Sequence, residues 1–497
     1  MWATPGRPLS SEEMAVAEQN AVALGVTIDA LMENAGRAVA EEATRRLPTP
    51  PARVAVVAGT GNNGGDGLCA AFYLLQWGYA PEIWLIRPPA EIRSRAARRC
   101  FDRIERRCPI HFETPRSEQL ATMPLVVDAL LGTGQSGSLR SPVREAVEAI
   151  RASRAPVLSV DVPTGITDPR GLRPAWTVAL MTPKDDMSVE NSGEIVVRDI
   201  GIPADAWKRT GPGEFLFFRA PEGRADRGRT ARLVVIGGGP YSGAPALAAL
   251  AALRAGGERA TVLAPGGAAE RIQSFSPNLI VRAFGADRFR PTDVPGLLEF
   301  VRAAPPQAAV IGMGAGNHPE TVEALSLLER ELSGELPLVV DADGLAALPE
   351  AGLLPERVTV IATPNTGEFE RVFGGPPRTA GPDRADAARK IARERRVFLL
   401  VKGDPDLLTD GRSLFENRHH HPAMTVGGVG DVLAGVVGSL VAQGLGPVAA
   451  ARLGAWWTGE AGSRAAGRLG FGLVATDVID ELPAALVAGL DRVRRSG

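Results

Sequence analysis

Near the C-terminus the chain reads Thr425-Val426-Gly427-Gly428-Val429-Gly430-Asp431-Val432-Leu433-Ala434-Gly435. A glycine-rich turn runs into an apolar segment of helical spacing, and one carboxylate stands at the junction. The first N–H groups of a helix have no partner within it and attract anions such as phosphate. Glycines let a bulky anion approach the backbone closely. A negative charge beside such a turn is electrostatically costly unless it does chemistry, such as taking a proton from a hydroxyl near a nucleotide phosphate. The plain alternative is a glycine-rich helix start with an acidic first-turn residue, because short glycine motifs are common.

A second cluster follows the apolar run Arg53–Gly59: Asn62-Asn63-Gly64-Gly65-Asp66-Gly67. It lacks the Gly-Lys-Ser/Thr of a phosphate-cradling P-loop and the spacing of a dinucleotide fingerprint. Two amides and a carboxylate in one turn offer oxygens to a hard cation and hydrogen bonds to a ribose or phosphate. Asp128-Ala-Leu-Leu-Gly-Thr-Gly134 and Asp161-Val-Pro-Thr-Gly165 place two further aspartates at strand ends. One such residue is ordinarily a cap, whereas three on neighbouring strands favour a site. Lysine occurs only at 184, 208, 390 and 402. Such a skew is most simply a coding bias, but where arginine is used almost everywhere a lysine inside a motif favours a functional position, since the two are not interchangeable at a phosphate or in a tight pocket. The run His419-His420-His421 is expected in a solvent-exposed loop, since three adjacent histidines on a regular element cannot all face one metal.

The elements that must position these groups alternate. Helices are expected within 12–46, joined at Gly25, and from about Leu68 to Trp77. Strands are expected at 53–59, 82–86, 124–128 and 156–161, with helices at 91–106 and 142–152. Such alternation makes a mainly parallel sheet, whose ligands gather at the carboxyl ends of its strands. A charged, turn-rich stretch at 219–230 reads as a linker. A second α/β series follows: strands 233–236, 260–264, 308–311, 336–341, 358–361 and 397–401, with helices 244–255, 319–332, 383–395, 431–443 and 447–467. The 497 residues call for more than one domain, and a net charge of −2 gives no reason to expect nucleic acid or an anionic membrane as partner. Three cysteines without a CxxC pair fit reduced thiols in a cytoplasm, and no signal-peptide pattern opens the chain.

The motifs Leu31-Met32-Glu33-Asn34-Ala35-Gly36, Gly59–Gly67, Asp128–Gly134, Asp161–Gly165, Thr182-Pro183-Lys184 and Asp199-Ile200-Gly201-Ile202-Pro203, in that order, resemble the NAD(P)H-hydrate epimerase family. The second half carries Gly243–Ala246, Ala252–Gly256, Gly312–Gly316, Asp341–Leu345, Thr363–Phe369, Lys402-Gly403 and Gly427–Gly435, and resembles the ADP-dependent NAD(P)H-hydrate dehydratases. The resemblance implies a Rossmann-like αβα sandwich at 1–219, a linker at 220–228 and a ribokinase-like α/β domain at 229–497.

It further implies repair of hydrated NADH and NADPH, with the first domain interconverting the R and S hydrates and the second dehydrating the S hydrate with ADP or ATP and Mg2+. Asn62, Asn63, Gly64, Gly65, Asp66, Gly132, Thr133, Gly134, Gly137 and Ser138 would hold the dinucleotide. Asn63, Asp128 and Thr164 would bind potassium, and Asp161 and Lys184 would serve acid–base catalysis, Asp161 also contacting substrate. In the second domain Ala244, Gly314, Asn365 and Asp431 would line the hydrate site, with Asp431 as general base. Lys402, Gly403, Asp404, Pro405, Asp406, Gly427, Gly428 and Gly430 would line the nucleotide site. A cytoplasmic homo-oligomer acting on small molecules, with no nucleic acid or membrane partner, is expected. Three positions depart from the family pattern. Thr164 replaces serine and keeps the hydroxyl. Asn365 replaces histidine and cannot carry a proton at neutral pH. Val429 replaces threonine and drops a hydroxyl but leaves the backbone donors. The alternative is a ribokinase-like small-molecule kinase behind a non-catalytic dinucleotide-binding module.

Overall fold

The computed structural model describes residues 7–135, 137–220, 231–348, 360–374 and 382–496. The chain divides into two compact units, Met1–Trp207 and Lys208–Ser496.

The first unit is built on a seven-stranded, wholly parallel sheet of β1 (Arg53–Ala58), β2 (Ala80–Leu85), β3 (Ile110–His111), β4 (Val126–Ala129), β5 (Val157–Val160), β6 (Trp176–Leu180) and β7 (Glu194–Arg198). Their order is β3-β2-β1-β4-β5-β6-β7. Central strands such as β1 are apolar and buried beyond their first residue, Val54–Ala58 in β1, because both faces of the sheet are covered. Helix Ser11–Ala23 starts on a capping box, Glu13 N–H donating to Ser10 Oγ at 3.1 Å and Ser10 N–H to Glu13 Oε2 at 3.0 Å. Helix Ile28–Thr44 starts on Thr27. The order reverses between β1 and β4, and a crevice opens beyond the carboxyl ends of strands at such a switch point.

The third helix begins at Asn62, six residues before the expected start. Asn62–Gly67 is therefore not a turn but the first two turns of a helix. Close packing explains its glycines. A Cβ at Gly64 would stand 1.9 Å from Gly59 O, and one at Gly67 would stand 2.3 Å from Ala129 Cβ.

The second unit is also α/β, built on a mainly parallel sheet. Its nine strands are β8 (Arg232–Ile236), β9 (Arg259–Ala264), β10 (Ile280–Ala283), β11 (Ala308–Ile311), β12 (Leu338–Val340), β13 (Val360–Ala362), β14 (Phe398–Val401), β15 (Asp406–Thr409) and β16 (Leu414–Asn417). They run in the order β10-β9-β8-β11-β12-β13-β14-β15-β16, parallel as far as β14 and antiparallel beyond it. Helices Gly243–Arg254, Val429–Ala442, Pro447–Leu469 and Ala475–Ser496 pack on one another, and Pro319–Leu332 and Val294–Ala303 are among the further helices of the unit.

The unit boundary differs from the expected one. The 220–228 linker, Ala220 apart, lies outside the described residues, and the division falls at Trp207/Lys208. The physical reason is the short helix Pro212–Phe217. Phe215 and Phe217 are buried, and a Cβ at Gly489 would stand 2.2 Å from the Phe215 ring, so the ring lies directly on the last helix. Glu214 accepts from Arg452 Nη2 at 2.8 Å with both side chains buried. Thr210 N–H bonds Glu416 O on the edge strand at 2.9 Å.

Candidate active sites

In the first unit a cavity of 570 Å³ opens at the switch point. Gly59–Asn63 and Asp66 line it from the β1 turn and the following helix, Leu130–Gln135 from the loop after β4, and Asp161 from the end of β5. Gly61 caps the helix, so the N–H groups of its first turn face an incoming anion. Asn62, Asn63, Asp66, Gly132, Thr133, Gly134 and Asp161 thus meet in one place. Gly64 and Gly65 face Gly59 and the Met32 and Ala97 side chains rather than the cavity, and Gly137 and Ser138 are exposed and do not line it.

Asp161 holds a left-handed backbone (φ 64°) and pairs with Lys184, whose side chain is fully buried. Lys184 Nζ also donates to Leu180 O at 3.0 Å and Thr182 O at 3.2 Å. A buried ammonium with three acceptors is anchored, so the lysine holds the carboxylate in place. Burial pushes Asp66 well above the usual carboxylate range, with Asp161 and Glu18 adding to the rise.

Asp128 and Thr164 meet directly. The Asp128 carboxylate, fully buried, accepts from Thr164 Oγ1 at 2.7 Å, Thr164 N at 3.0 Å, Ser159 Oγ at 2.8 Å and Leu130 N at 3.3 Å. Burial raises its pKa against those four bonds. Asn63 differs, because both its amide nitrogen and its amide oxygen are buried without a hydrogen-bond partner. A buried carbonyl oxygen left open is what a hard cation takes as ligand. Asn63 therefore fits an oxygen-ligated cation, while Asp128 contributes charge and has its lone pairs committed.

In the second unit a larger cavity, 850 Å³, lies beyond the carboxyl ends of β12, β13 and β14. Asp341, Asn365–Glu368 and Lys402–Asp404 line it from those ends, Asp406 from the start of β15, and Val426–Asp431 from the glycine turn. Gly428 N-caps helix Val429–Ala442 with φ 96°, a conformation glycine adopts without strain. A Cβ there would also meet Leu247 Cδ1 at 2.7 Å. Lys402 Nζ donates to Asp341 Oδ1 at 2.7 Å, and a Cβ on Gly430 would stand 3.1 Å from that nitrogen. A cation is thus fixed beside the N–H groups of the anion turn. Burial alone would lower the Lys402 pKa, but Asp341, Glu368 and Asp431 outweigh it and hold the lysine charged. Burial, then Asp341, raises Asp431 to about 7, with Lys402 opposing and Glu368 and Asp343 adding.

Several expected residues take unexpected roles. Asn365 caps helix Thr366–Phe373, accepting from Glu368 N at 2.9 Å while its own N–H donates to Glu368 Oε2 at 2.8 Å. Its amide oxygen is therefore occupied locally. Ala244 and Gly314 do not line the cavity. They sit at the β8/β11 switch point, where a Cβ on Gly314 would meet Tyr241 O at 2.4 Å. Pro405 also lies off the lining, its carbonyl accepting from Arg384 Nη1 at 2.7 Å.

The histidine run is not the solvent loop expected. His419, His420 and His421 all line the cavity and are half-buried. His419 stacks on Trp456 at 4.0 Å and shares a 2.8 Å hydrogen bond with Glu460. The tertiary return of the chain past Trp456 and Glu460 draws the loop inward.

Two cavity residues were given no role from the sequence: Asp341, which stands in the Asp341–Leu345 motif, and Glu18. Asp341 ends an apolar run as Asp128 and Asp161 do, and the same rule would have found it. Glu18 lies four residues after Met14 and three before Ala21, so it is a charge on an otherwise apolar helix face.

Comparisons with known proteins agree along the whole chain. The family described as NAD(P)H-hydrate dehydratase matches residues 233–484, and the one described as YjeF-related protein N-terminus matches residues 28–185. A bifunctional NAD(P)H-hydrate repair enzyme of Hyperthermus butylicus is 36% identical over 99% of this chain and 94% of its own length. The one from Methanothermobacter thermautotrophicus is 37% identical over 98% of each. Among solved structures, the ADP/ATP-dependent NAD(P)H-hydrate dehydratase of Bacillus subtilis, co-crystallised with ATP/Mg2+, is 21% identical and covers 55% of this chain and 94% of its own, with a TM-score of 0.46.

Proposed function

The chain belongs to the family of bifunctional NAD(P)H-hydrate repair enzymes, and from that premise we propose how its two cavities divide the chemistry. The first unit interconverts the R and S hydrates of NADH and NADPH. The second dehydrates the S hydrate at the expense of a nucleotide. The kinase alternative is not favoured by relatives that match both halves.

The single observation that carries the second assignment is Asp431. It is a carboxyl titrating near 7 at the first turn of a helix, in one cavity with the Lys402–Asp341 pair. The hydrate carries a hydroxyl at ring carbon 6, and hydroxide is a poor leaving group. Asp431 takes the hydroxyl proton as the oxygen accepts the terminal phosphoryl group of the nucleotide. The N–H groups of the 427–430 turn and the Lys402 ammonium stabilise the charge of the group in transfer. Phosphate then leaves carbon 6, pushed by the ring-nitrogen lone pair to a C=N bond. A proton passes from carbon 5 to water, its C–H electron pair forms the C5=C6 bond, the C=N pair returns to nitrogen, and the dihydronicotinamide is restored. Asp341, Glu368, Asp404, Asp406 and Asp431 share this lining, so a polyphosphate enters best with its charge reduced by a bound divalent cation. Mg2+ entering with the nucleotide would supply that cation. The test is product analysis: one inorganic phosphate is expected for each nicotinamide recovered. A phosphorylated alcohol accumulating instead would restore the kinase reading.

In the first unit Asp161, held by Lys184, is an acid–base group, and the helix start at Asn62 receives the dinucleotide phosphates. Potassium fits at Asn63, with the buried Asp128 carboxylate balancing its charge through the Thr164 contact; there it would orient the substrate. Asp128→Ala is expected to lower epimerisation at least about tenfold, the low end of a lost second-layer partner of an ion site, and to leave dehydration unchanged. Measuring both rates on one preparation checks this, and equal losses would contradict it. Among the described residues no helix is long and apolar enough to cross a membrane. Cys69, Cys100 and Cys108 are free thiols, which supports a cytoplasmic setting, and a homo-oligomer belongs to the same reading.

A further inference from the structure

Glu18 belongs to none of the motifs that mark the first unit, yet it stands in its cavity. It projects from the mostly buried face of helix Ser11–Ala23 into the space lined by Asn63, Asp66, Asp161 and Leu180. Three elements bring charged groups against it: Asp66 from helix Asn62–Gln76, Asp161 from the end of β5, and Lys184 from the segment after β6. Arg87 and Arg93 line the same cavity from beyond β2. The Lys184–Asp161 ion pair is closed on itself, with Lys184 further tied to two backbone carbonyls. Glu18 therefore meets a carboxylate that already has its counter-ion, and a second carboxyl group, Asp66, with none.

Inversion at carbon 6 needs two proton transfers. The hydroxyl on one face must leave as water, and a water on the other face must be deprotonated as it adds. A single fixed carboxylate serves one face. We propose that Glu18 is the acid of the epimerisation and Asp161 the base. This assignment rests on reading the first unit as the epimerase. Glu18 gives its proton to the hydroxyl oxygen, the carbon 6–oxygen bond breaks, and water departs as the ring-nitrogen lone pair forms a C=N bond. A second water adds to carbon 6 from the opposite face, its proton passes to Asp161, and the C=N pair returns to nitrogen. One water leaves and one enters, nothing is oxidised or reduced, and solvent exchange resets both carboxyl groups. Burial, with Asp161 adding and Lys184 opposing, brings Glu18 to about 7, so the acid form is present at neutral pH.

The test uses the full-length protein and a mixture of hydrate epimers in oxygen-18-labelled water, without nucleotide. The wild type is expected to incorporate one label per inversion, with kcat/KM falling as pH rises through about 7 because the acid form is lost. Glu18→Gln is expected to lower kcat by about 10²–10⁴-fold, the scale of lost general acid catalysis, with KM within about threefold. Glu18→Asp, which keeps an acid, should retain far more rate than Glu18→Gln. Dehydration by the second unit should be unaffected in both. Epimerisation by Glu18→Gln at the rate of Glu18→Asp, or inversion without label, would overturn the proposal. Failure of the wild type to epimerise would overturn the reading of the unit itself, and the role of Glu18 with it.

Discussion

Asp431→Asn is expected to lose dehydration by about 10²–10⁴-fold, the range for removal of a positioned general base. The substitution keeps size and a hydrogen-bonding oxygen but cannot accept the proton of the hydrate hydroxyl. Nucleotide binding should survive, because the turn amides and Lys402 remain and one negative charge beside the phosphates is gone. The pH profile adds an independent readout. Asp431 must be ionised to act, and its carboxyl titrates at about 7 in the free protein, raised first by burial and then by Asp341. Wild-type kcat/KM for dehydration should therefore rise with pH through about 7, and that limb should be missing from the residual rate of the variant. Near-normal turnover by folded Asp431→Asn would remove Asp431 from the chemistry.

The second large effect is on stability. A chain beginning at residue 229 keeps every motif of the dehydratase half but lacks Pro212–Phe217. It loses Phe215 and Phe217 from the interior and leaves Arg452, 2% exposed, without Glu214. Emptying one large aromatic site costs about 3–5 kcal/mol, and stranding one partner of a buried ion pair about as much. Either is a large share of the roughly 5–15 kcal/mol that holds a domain together. The 229–497 chain is expected to be unfolded or severely destabilised, whereas 208–497 should unfold cooperatively and dehydrate one epimer. Thermal unfolding of the two side by side decides. Similar melting temperatures would mean that Pro212–Phe217 is merely laid on the surface.

Much of this architecture is visible in the chain because burial dictates residue type over short distances. Strand Ala308–Ile311 and helix Pro319–Leu332 fall where apolar pattern and an N-terminal proline put them. The hairpin of β15 and β16 was missed although Asp410-Gly411 is a turn signal between two apolar runs. The start of helix Asn62–Gln76 was not legible in the sequence, because three glycines in its first six residues oppose a helix locally. Only the nearness of Gly59 O and Ala129 reveals that those glycines serve packing. The boundary misread has the same origin: Arg219–Thr230 is polar and turn-rich, but the partners of Phe215 and Glu214 lie more than 230 residues onward.

The sites divide similarly. Strand-end aspartates and glycine turns are local signals, so Asp161, Asp431, Asn62, Asn63 and Asp66 line cavities as their positions suggest, whereas Asp128 is buried behind the first cavity and bonded to Thr164 and Ser159. Asn365 and the histidine run are read through distant partners. Asn365 is a helix cap whose oxygen is already bonded to Glu368 N, which favours an orienting role over proton transfer there. His419 is drawn to the cavity by Trp456 and Glu460, far along the chain.

The central claim is that one chain repairs both epimers of the hydrate, and it is tested most directly by following the recovery of intact dihydronicotinamide absorbance from a mixed-epimer preparation. Without nucleotide, the epimers should equilibrate with no recovery of absorbance. With ADP or ATP added, recovery should run to completion for both epimers in the wild type, and should stop once the S epimer is spent in Asp161→Asn. Recovery that halts at one epimer in the wild type, faster than spontaneous inversion can supply the other, would contradict the epimerase assignment, and no nucleotide-dependent recovery at all would contradict the dehydratase assignment.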